Sequence, residues 1–191
     1  MFVRQDWMLF RSLGTLGQKA GVPAGRLKRL VLKELADNAL DAAGHVRFGR
    51  LAGGGYWVED DGDGIAGGAE AVRTLFSVNR PLTSSKVLRL PTRGALGNGL
   101  RVVVGSVLAT GGTLAVHTRG RAYALAPRDD GTTDVTAEGP SATRGTRVEI
   151  AFGPGMPDDP GNELAWAKQA KQFKYKKAYP GKTSAYWYDG D

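Results

Sequence analysis

The sequence predicts an α+β fold, with one mixed, mostly antiparallel sheet carrying its helices on one face. Three observations predict it. Apolar residues recur at helical spacing from Leu27 to Ala43, at Leu27, Leu30, Val31, Leu35, Ala39 and Ala42. Directly after them, "HVRFGRLA", "GGG" and "YWVED" read as strand, turn, strand. Two further helical segments then precede four short strands, an order that suits one sheet under a layer of helices.

Each element has its own signal. Residues 1–25 read as an irregular N-terminal segment with apolar anchors Phe2, Trp7, Leu9 and Phe10. Pro23 suits the first residue of a helix, and Gly44 its end. "DGDGIAGG" is a loop and "AEAVRTLF" a short helix. Residues 77–93, "SVNRPLTSSKVLRLPTR", are polar and interrupted by proline, as a long functional or mobile loop is. "GLRVVVGSVLATGG" reads as a helix, and "TLAVHT", "AYALA", "TDVTA" and "RVEIAF" as strands. The tail 162–178 is a basic amphipathic helix capped by Asn162, with Lys168, Lys171 and Lys174 as a basic stripe. Its plain alternative is a solvated helix leading to a next domain. The expected division is a segment at 1–25, a ligand-binding domain at 26–153, and a basic helix and tail at 154–191.

Composition bounds the function classes. The 191 residues suffice for one domain with a core. Their 41% hydrophobic and 24% charged content is ordinary for a soluble protein. No apolar run approaches the roughly 20 residues that span a bilayer, so no membrane is expected. "MFVRQDWMLFRSLG" mixes charge into its apolar residues and is not a secretory signal. Cysteine is absent and the only histidines are His45 and His117, which argues against thiol chemistry and zinc. The expected compartment is the cytoplasm. A net charge of +7 favours polyanionic partners.

Four stretches carry candidate chemistry. In "KELADNALDA", Glu34, Asp37, Asn38 and Asp41 fall at steps of three and four and share one helix face. Such a face is often merely solvated, yet Asn and Asp are poor mid-helix residues and ask for a reason. A Glu one turn before an Asn suits holding a water beside a hard cation such as magnesium, which takes oxygen ligands and keeps most of its waters. In "VEDDGDGI", 58–65, a strand delivers Asp60 and Asp61 into a glycine-rich turn. That is either a surface turn or a buried carboxylate placed to accept a hydrogen bond from an exocyclic amine. A calcium loop of the EF-hand kind is set aside, because the required later glutamate is missing. "RGALGNGL" places Gly94, Gly97 and Gly99 at the mouth of a helix, as a flexible turn or as bare amides that approach a phosphate. It is neither a Walker loop nor a dinucleotide fingerprint. "TRGTRVEI", 143–150, is a Gly-Thr turn into a strand.

In this order, the four stretches resemble the four-motif signature of the GHKL ATPases: gyrase, MutL, the ninety-kilodalton heat-shock chaperones and the histidine kinases. The resemblance covers about residues 27–150. Within that family, "SSKVLRLPTRGALGNGL" is similar to the lid and glycine loop of the ATPase subunit of type IIB topoisomerases. The resemblance implies a Bergerat-type α/β sandwich that binds and hydrolyses ATP with Mg2+. It implies Glu34 as the general base, Asn38 as the magnesium ligand and Asp60 as the acceptor of the adenine amino group. Gly64 would let the ring lie close, and Thr146 would support Asp60 through water. Main-chain amides of Gly94, Ala95, Leu96, Gly97, Asn98, Gly99 and Leu100 would cradle the phosphates, with Lys86 a phosphate contact from the lid. Asp37 and Asp41 would stand behind the metal ligand.

The sequence also departs from the family. Gyrase, MutL and the type IIB enzymes take a phosphate-sensing lysine from a transducer domain for which 191 residues are expected to be too few, and Lys182 is a weak substitute. Asn98 stands where relatives are often apolar or small. No DNA-cleaving context is recognisable. Two readings follow. One is the ATP-gated dimerising module of a type IIB topoisomerase-like system, with DNA and a partner subunit as expected partners. The other is a nucleotide-gated chaperone- or clamp-like interaction module with slow turnover. A histidine kinase comes third, since neither histidine sits in a dimerising helix pair. In either leading reading the expected assembly is an ATP-dependent homodimer, with residues 1–25 strapped onto the partner through Trp7 and Phe10 or packed on their own domain.

Overall fold

The computed structural model describes residues 6–43, 45–80 and 98–178, the side chains of 173–178 apart. Six strands form one sheet: β1 (Val46–Arg50), β2 (Tyr56–Asp60), β3 (Thr113–Thr118), β4 (Arg121–Pro127), β5 (Thr133–Pro140) and β6 (Thr146–Ala151). Their spatial order is β1-β2-β6-β3-β4-β5. The sheet is antiparallel, as a mostly antiparallel sheet was expected to be, and no parallel pair occurs among the described residues. The reason lies in β6. β2 and β3 run in the same direction, but β6 inserts between them and pairs with both.

Register separates the two faces. Phe48, Val58, Val148, Val116 and Tyr123 line up across the strands, all buried except the half-buried Phe48, and Tyr56, Ile150, Leu114 and Leu125 form a second buried row. Full burial of such side chains contributes about 1.5–3 kcal/mol each. Among the described residues there are five α-helices, α1 (Leu13–Ala20), α2 (Leu27–Ala42), α3 (Gly68–Leu75), α4 (Gly99–Thr110) and α5 (Ala165–Ala178), of which α2, α3 and α4 lie against the sheet and α1 packs on α4. α2 lies against β1 and β2, α4 against β3 and β4, and α3 against β5, while α5 packs on α2. The opposite face carries a charged ladder, in which Arg47 and Arg147 both pair with Glu59 at 2.7 and 3.2 Å. Arg147 also reaches Glu149 at 2.8 Å and stacks over the Trp57 ring.

Residues 6–20 are largely helical, contrary to the irregular reading of the N-terminal segment. A 3-10 helix, Asp6–Phe10, leads into α1, where the Ser12 hydroxyl accepts from the Thr15 amide and Gly21 ends the helix at φ 71. The helix escapes sequence periodicity because Gly14 and Gly17 depress its propensity. Gly17 is needed all the same, since a side chain there would press on the Val22 carbonyl. Phe10 is fully buried in the core of its own domain. Gly105 of α4 lets the Phe10 backbone approach, as a Cβ there would stand 2.5 Å from its carbonyl oxygen.

Other boundaries shift by small amounts. Pro23 precedes a 3-10 turn, Ala24–Arg26, and α2 itself starts at Leu27. Gly44 lies outside the described residues. The tail helix begins at Ala165, while the Asn162 carboxamide oxygen accepts from the Leu164 amide one turn earlier. Lys171 stands over the Phe48 ring. Ahead of that helix, the buried Asp159 carboxylate pins the connecting loop to α2. Arg29 holds it at 2.6 and 2.5 Å, Arg26 at 3.4 Å, and the Gly161 amide donates at 3.2 Å. Among the described residues, no helix is long and apolar enough to cross a membrane.

Candidate functional site

α2 is the axis of the site. Halfway along it, the Glu34 carboxylate projects to the start of α4 and occupies the space that a Cβ on Gly99 would need. Contact at this point depends on residue 99 being glycine. Aligned peptide dipoles place partial positive charge at that helix start, which favours the carboxylate there. Lys33 stands 3.6 Å from Glu34 and 2.7 Å from Asp37. Burial pulls the Lys33 ammonium down, but the Asp37 hydrogen bond and the charges of Glu34 and Asp37 outweigh it and hold the group above its ordinary value.

The acidic face is therefore divided. Asp37 is buried and paired with Lys33, whereas Asn38 and Asp41 are exposed. Asn38 comes one turn after Glu34 on α2, with its amide at the surface. Among the described residues no group of three or more His, Cys, Asp or Glu is placed to hold a metal ion. A cation at this position would take Asn38 as its protein ligand and complete its shell with water and ligand oxygens. That donor set is one magnesium accepts.

At the far end of α2, about 12 Å on by the helical rise over eight residues, lies the loop that follows β2. Gly62 approaches the Ala42 carbonyl so closely that a Cβ would stand 3.0 Å from it. Asp60 closes β2 and is buried. Its Oδ1 accepts from the Gly62 amide at 2.9 Å and the Thr146 amide at 3.1 Å. The second oxygen takes no hydrogen bond from the described residues. Burial pushes the Asp60 carboxyl above its ordinary value, and the charges of Asp61 and Glu59 add to this, against the pull of the two amides. Asp61 is engaged elsewhere, by the His45 amide at 3.0 Å and the His45 ring at 2.9 Å. The bond from His45's amide holds the Asp61 carboxyl low.

Two neighbours of this loop escaped the sequence reading. Gly64, at φ 72, packs so tightly that a Cβ would stand 2.6 Å from Thr118 Oγ1 and 2.8 Å from Arg119 Cγ. Thr118 is buried, and its hydroxyl accepts from the Ile65 amide at 2.8 Å. Both residues come from the β3–β4 turn, more than fifty positions later in the chain. β6 lying between β2 and β3 brings that turn to the loop that follows Asp60.

The structure thus brings together Glu34 with Gly99, and Asp60 with Thr146, while Gly64 packs against Thr118, Arg119 and the Arg144 carbonyl. Thr146 bonds Asp60 directly through its main-chain amide. Asn98 and Leu100 flank Gly99 at the start of α4, and Asn98 Oδ1 is buried with no partner among the described residues. Lys86, Gly94, Ala95, Leu96, Gly97 and Lys182 lie outside the described residues. The first residues of the 77–93 stretch are fastened to the β4–β5 turn, where Asn79 donates from its amide to the Gly131 carbonyl and from its side chain to the Asp130 carbonyl.

Chemically, the arrangement offers a carboxylate at a helix start, an exposed amide one turn along the same helix, and a buried carboxylate with one oxygen open to a donor. No protein-family model matches the chain, and no curated protein matches it either.

Proposed function

We propose that the chain is a GHKL-type ATPase domain that binds ATP with magnesium and hydrolyses it. The observation that carries the reading is the layout along α2: a carboxylate suited to take a proton at a helix start, and, about 12 Å further along the helix axis, the loop that holds a buried carboxylate suited to recognise a base. The open oxygen of Asp60 accepts from the adenine amino group, and Gly64 keeps the space above it clear. The start of α4 faces the phosphates with its unpaired amides, as helix starts do. Glu34 takes a proton from the water that attacks the terminal phosphorus as the bond to the leaving oxygen breaks. Asn38 holds magnesium through its amide oxygen, and the ion supplies neutralisation of phosphate charge. Lys33 and the α4 start fix the direction of Glu34.

Glu34→Ala separates binding from chemistry. Its affinity for ATP stays near that of wild type, while turnover falls about 10²-fold or more, the usual size of a general-base contribution. Turnover at the wild-type rate would remove Glu34 from this role. Asn38→Ala loses magnesium-dependent binding and turnover together.

The module's setting is part of the proposal. The +7 charge favours service to a DNA-processing system of the type IIB topoisomerase kind, with ATP closing a homodimer. Met8 and Leu9, exposed at 47% and 42%, favour instead a protein contact through the N-terminal segment, as in a chaperone- or clamp-like module. DNA affinity that falls steeply with salt supports the first, because phosphate contacts release counterions. No DNA binding at low salt supports the second.

A further inference from the structure

The β3–β4 turn is built at an unfavourable residue. Arg119 has φ 48 and is the one non-glycine residue with positive φ among those described, and Gly120 follows at φ 80. Two successive positive values are what a two-residue hairpin turn demands, and Asn-Gly is the pair that meets the demand most easily. An arginine there costs backbone energy that an asparagine would spare. Its side chain is the feature an asparagine would lack.

That side chain reaches the loop after β2. Arg119 Nε donates to the Asp63 carbonyl at 2.7 Å, and its Cγ packs against Gly64. The neighbouring Thr118 hydroxyl accepts from Ile65 in the same loop. The turn itself is tied down on its other side, as the Arg119 amide donates to the Arg144 carbonyl at 3.2 Å and the Gly120 amide to Thr143 at 2.8 Å. Residues 143–144 lead directly into Gly145 and Thr146, and the Thr146 amide holds Asp60. One turn therefore braces both segments that orient the Asp60 carboxylate.

We infer that Arg119 is a positioning residue for nucleobase selection: by holding Asp63 and Gly64 it keeps the open Asp60 oxygen where an amine is accepted and a carbonyl is rejected. The inference rests on the nucleotide reading above. Adenine offers a donor amine to that oxygen, whereas guanine places an acceptor oxygen there and repels it. A loop free to shift would lose this discrimination before it lost affinity for the phosphates.

The test compares ATP and GTP affinities by calorimetry, with magnesium, for wild type, Arg119→Asn and Arg119→Lys. Asparagine suits positive φ, so the turn survives while the guanidinium goes, and melting temperatures check this. Wild type is expected to prefer ATP. Arg119→Asn is expected to lose about tenfold of that preference, the size of one charge-assisted hydrogen bond, without a lower melting temperature. Arg119→Lys, which keeps a cationic donor, is expected to retain most of it. An Arg119→Asn variant that prefers ATP as strongly as wild type overturns the inference alone. A wild-type protein that binds neither nucleotide overturns the nucleotide reading and this inference with it.

Discussion

Glu34 and Gly99 touch across two helices, with the carboxylate of one filling the place where the other would carry a methyl group. Gly99→Ala therefore sets helix propensity against the site. Alanine is the better helix former by about 1 kcal/mol in an interior position, less at a first turn. It also drives the Glu34 carboxylate off the α4 start. Expected is a melting temperature near that of wild type with turnover reduced about 10²-fold, the cost of moving a catalytic group by roughly 1 Å. Steady-state ATPase assays beside thermal melts check this, and undiminished turnover would show that the contact is not needed for chemistry.

Asp60→Asn is expected to weaken binding and stabilise the free protein. Its oxygen still accepts from the Gly62 and Thr146 amides, but the negative charge that receives an amine is gone. Loss of that bond costs about 1.5–3 kcal/mol of affinity. The stability effect follows from the raised pKa of Asp60. A carboxyl whose folded value lies above its unfolded value of about 3.9 favours folding fully below that pH and loses the contribution as pH rises through the folded value. At pH 7 the wild type therefore carries the cost of a buried charge, which the asparagine lacks. Urea unfolding at pH 7 and at about pH 3 should show a gap at the first that closes at the second.

Asp159 works in the opposite sense. Burial pushes its carboxyl up, but hydrogen bonds from Arg29 and the Gly161 amide and the charges of Arg29 and Arg26 outweigh this and hold it low. Its contribution is present above the unfolded value of about 3.9 and is lost as pH falls through the folded value. Asp159→Ala leaves Arg29 without its carboxylate and should cost about 3–5 kcal/mol at pH 7, the usual penalty for breaking a buried pair. Denaturant melts at neutral pH measure it, and a loss below about 1 kcal/mol would mean that the pair is merely a surface one.

Much of this architecture is legible in the sequence, for reasons visible in single residues. Leu27 through Ala42 advertise α2 because their burial repeats every three to four positions. Asp60 is legible because a strand ends on it and a glycine turn follows. The contribution of Thr118 and Arg119 is not legible, since it depends on sheet order, and β6 joins the sheet from the far end of the chain. α1 is hidden by its two glycines. Phe10 has no period around it to say whether it straps onto a partner or packs on its own domain, and α4 receives it at Gly105.

The burial of Phe10 bears on the dimer. Phe10→Ala should cost about 3–5 kcal/mol of fold stability through a core cavity, as for other buried aromatics. Any effect on assembly should follow from that loss. Light scattering with a non-hydrolysable ATP analogue is expected to show a dimer and, without nucleotide, a monomer. A mass that stays monomeric in both conditions would place the dimer contact outside this chain or remove it.

Calorimetric titration of the chain with ATP, with and without magnesium, tests the central claim most directly. Expected is saturable binding that magnesium strengthens and that Asp60→Asn weakens by ten- to a hundredfold, or about 1.5–3 kcal/mol. Absence of heat at roughly millimolar ATP with magnesium, from a protein whose melt shows it folded, would contradict the ATPase reading outright.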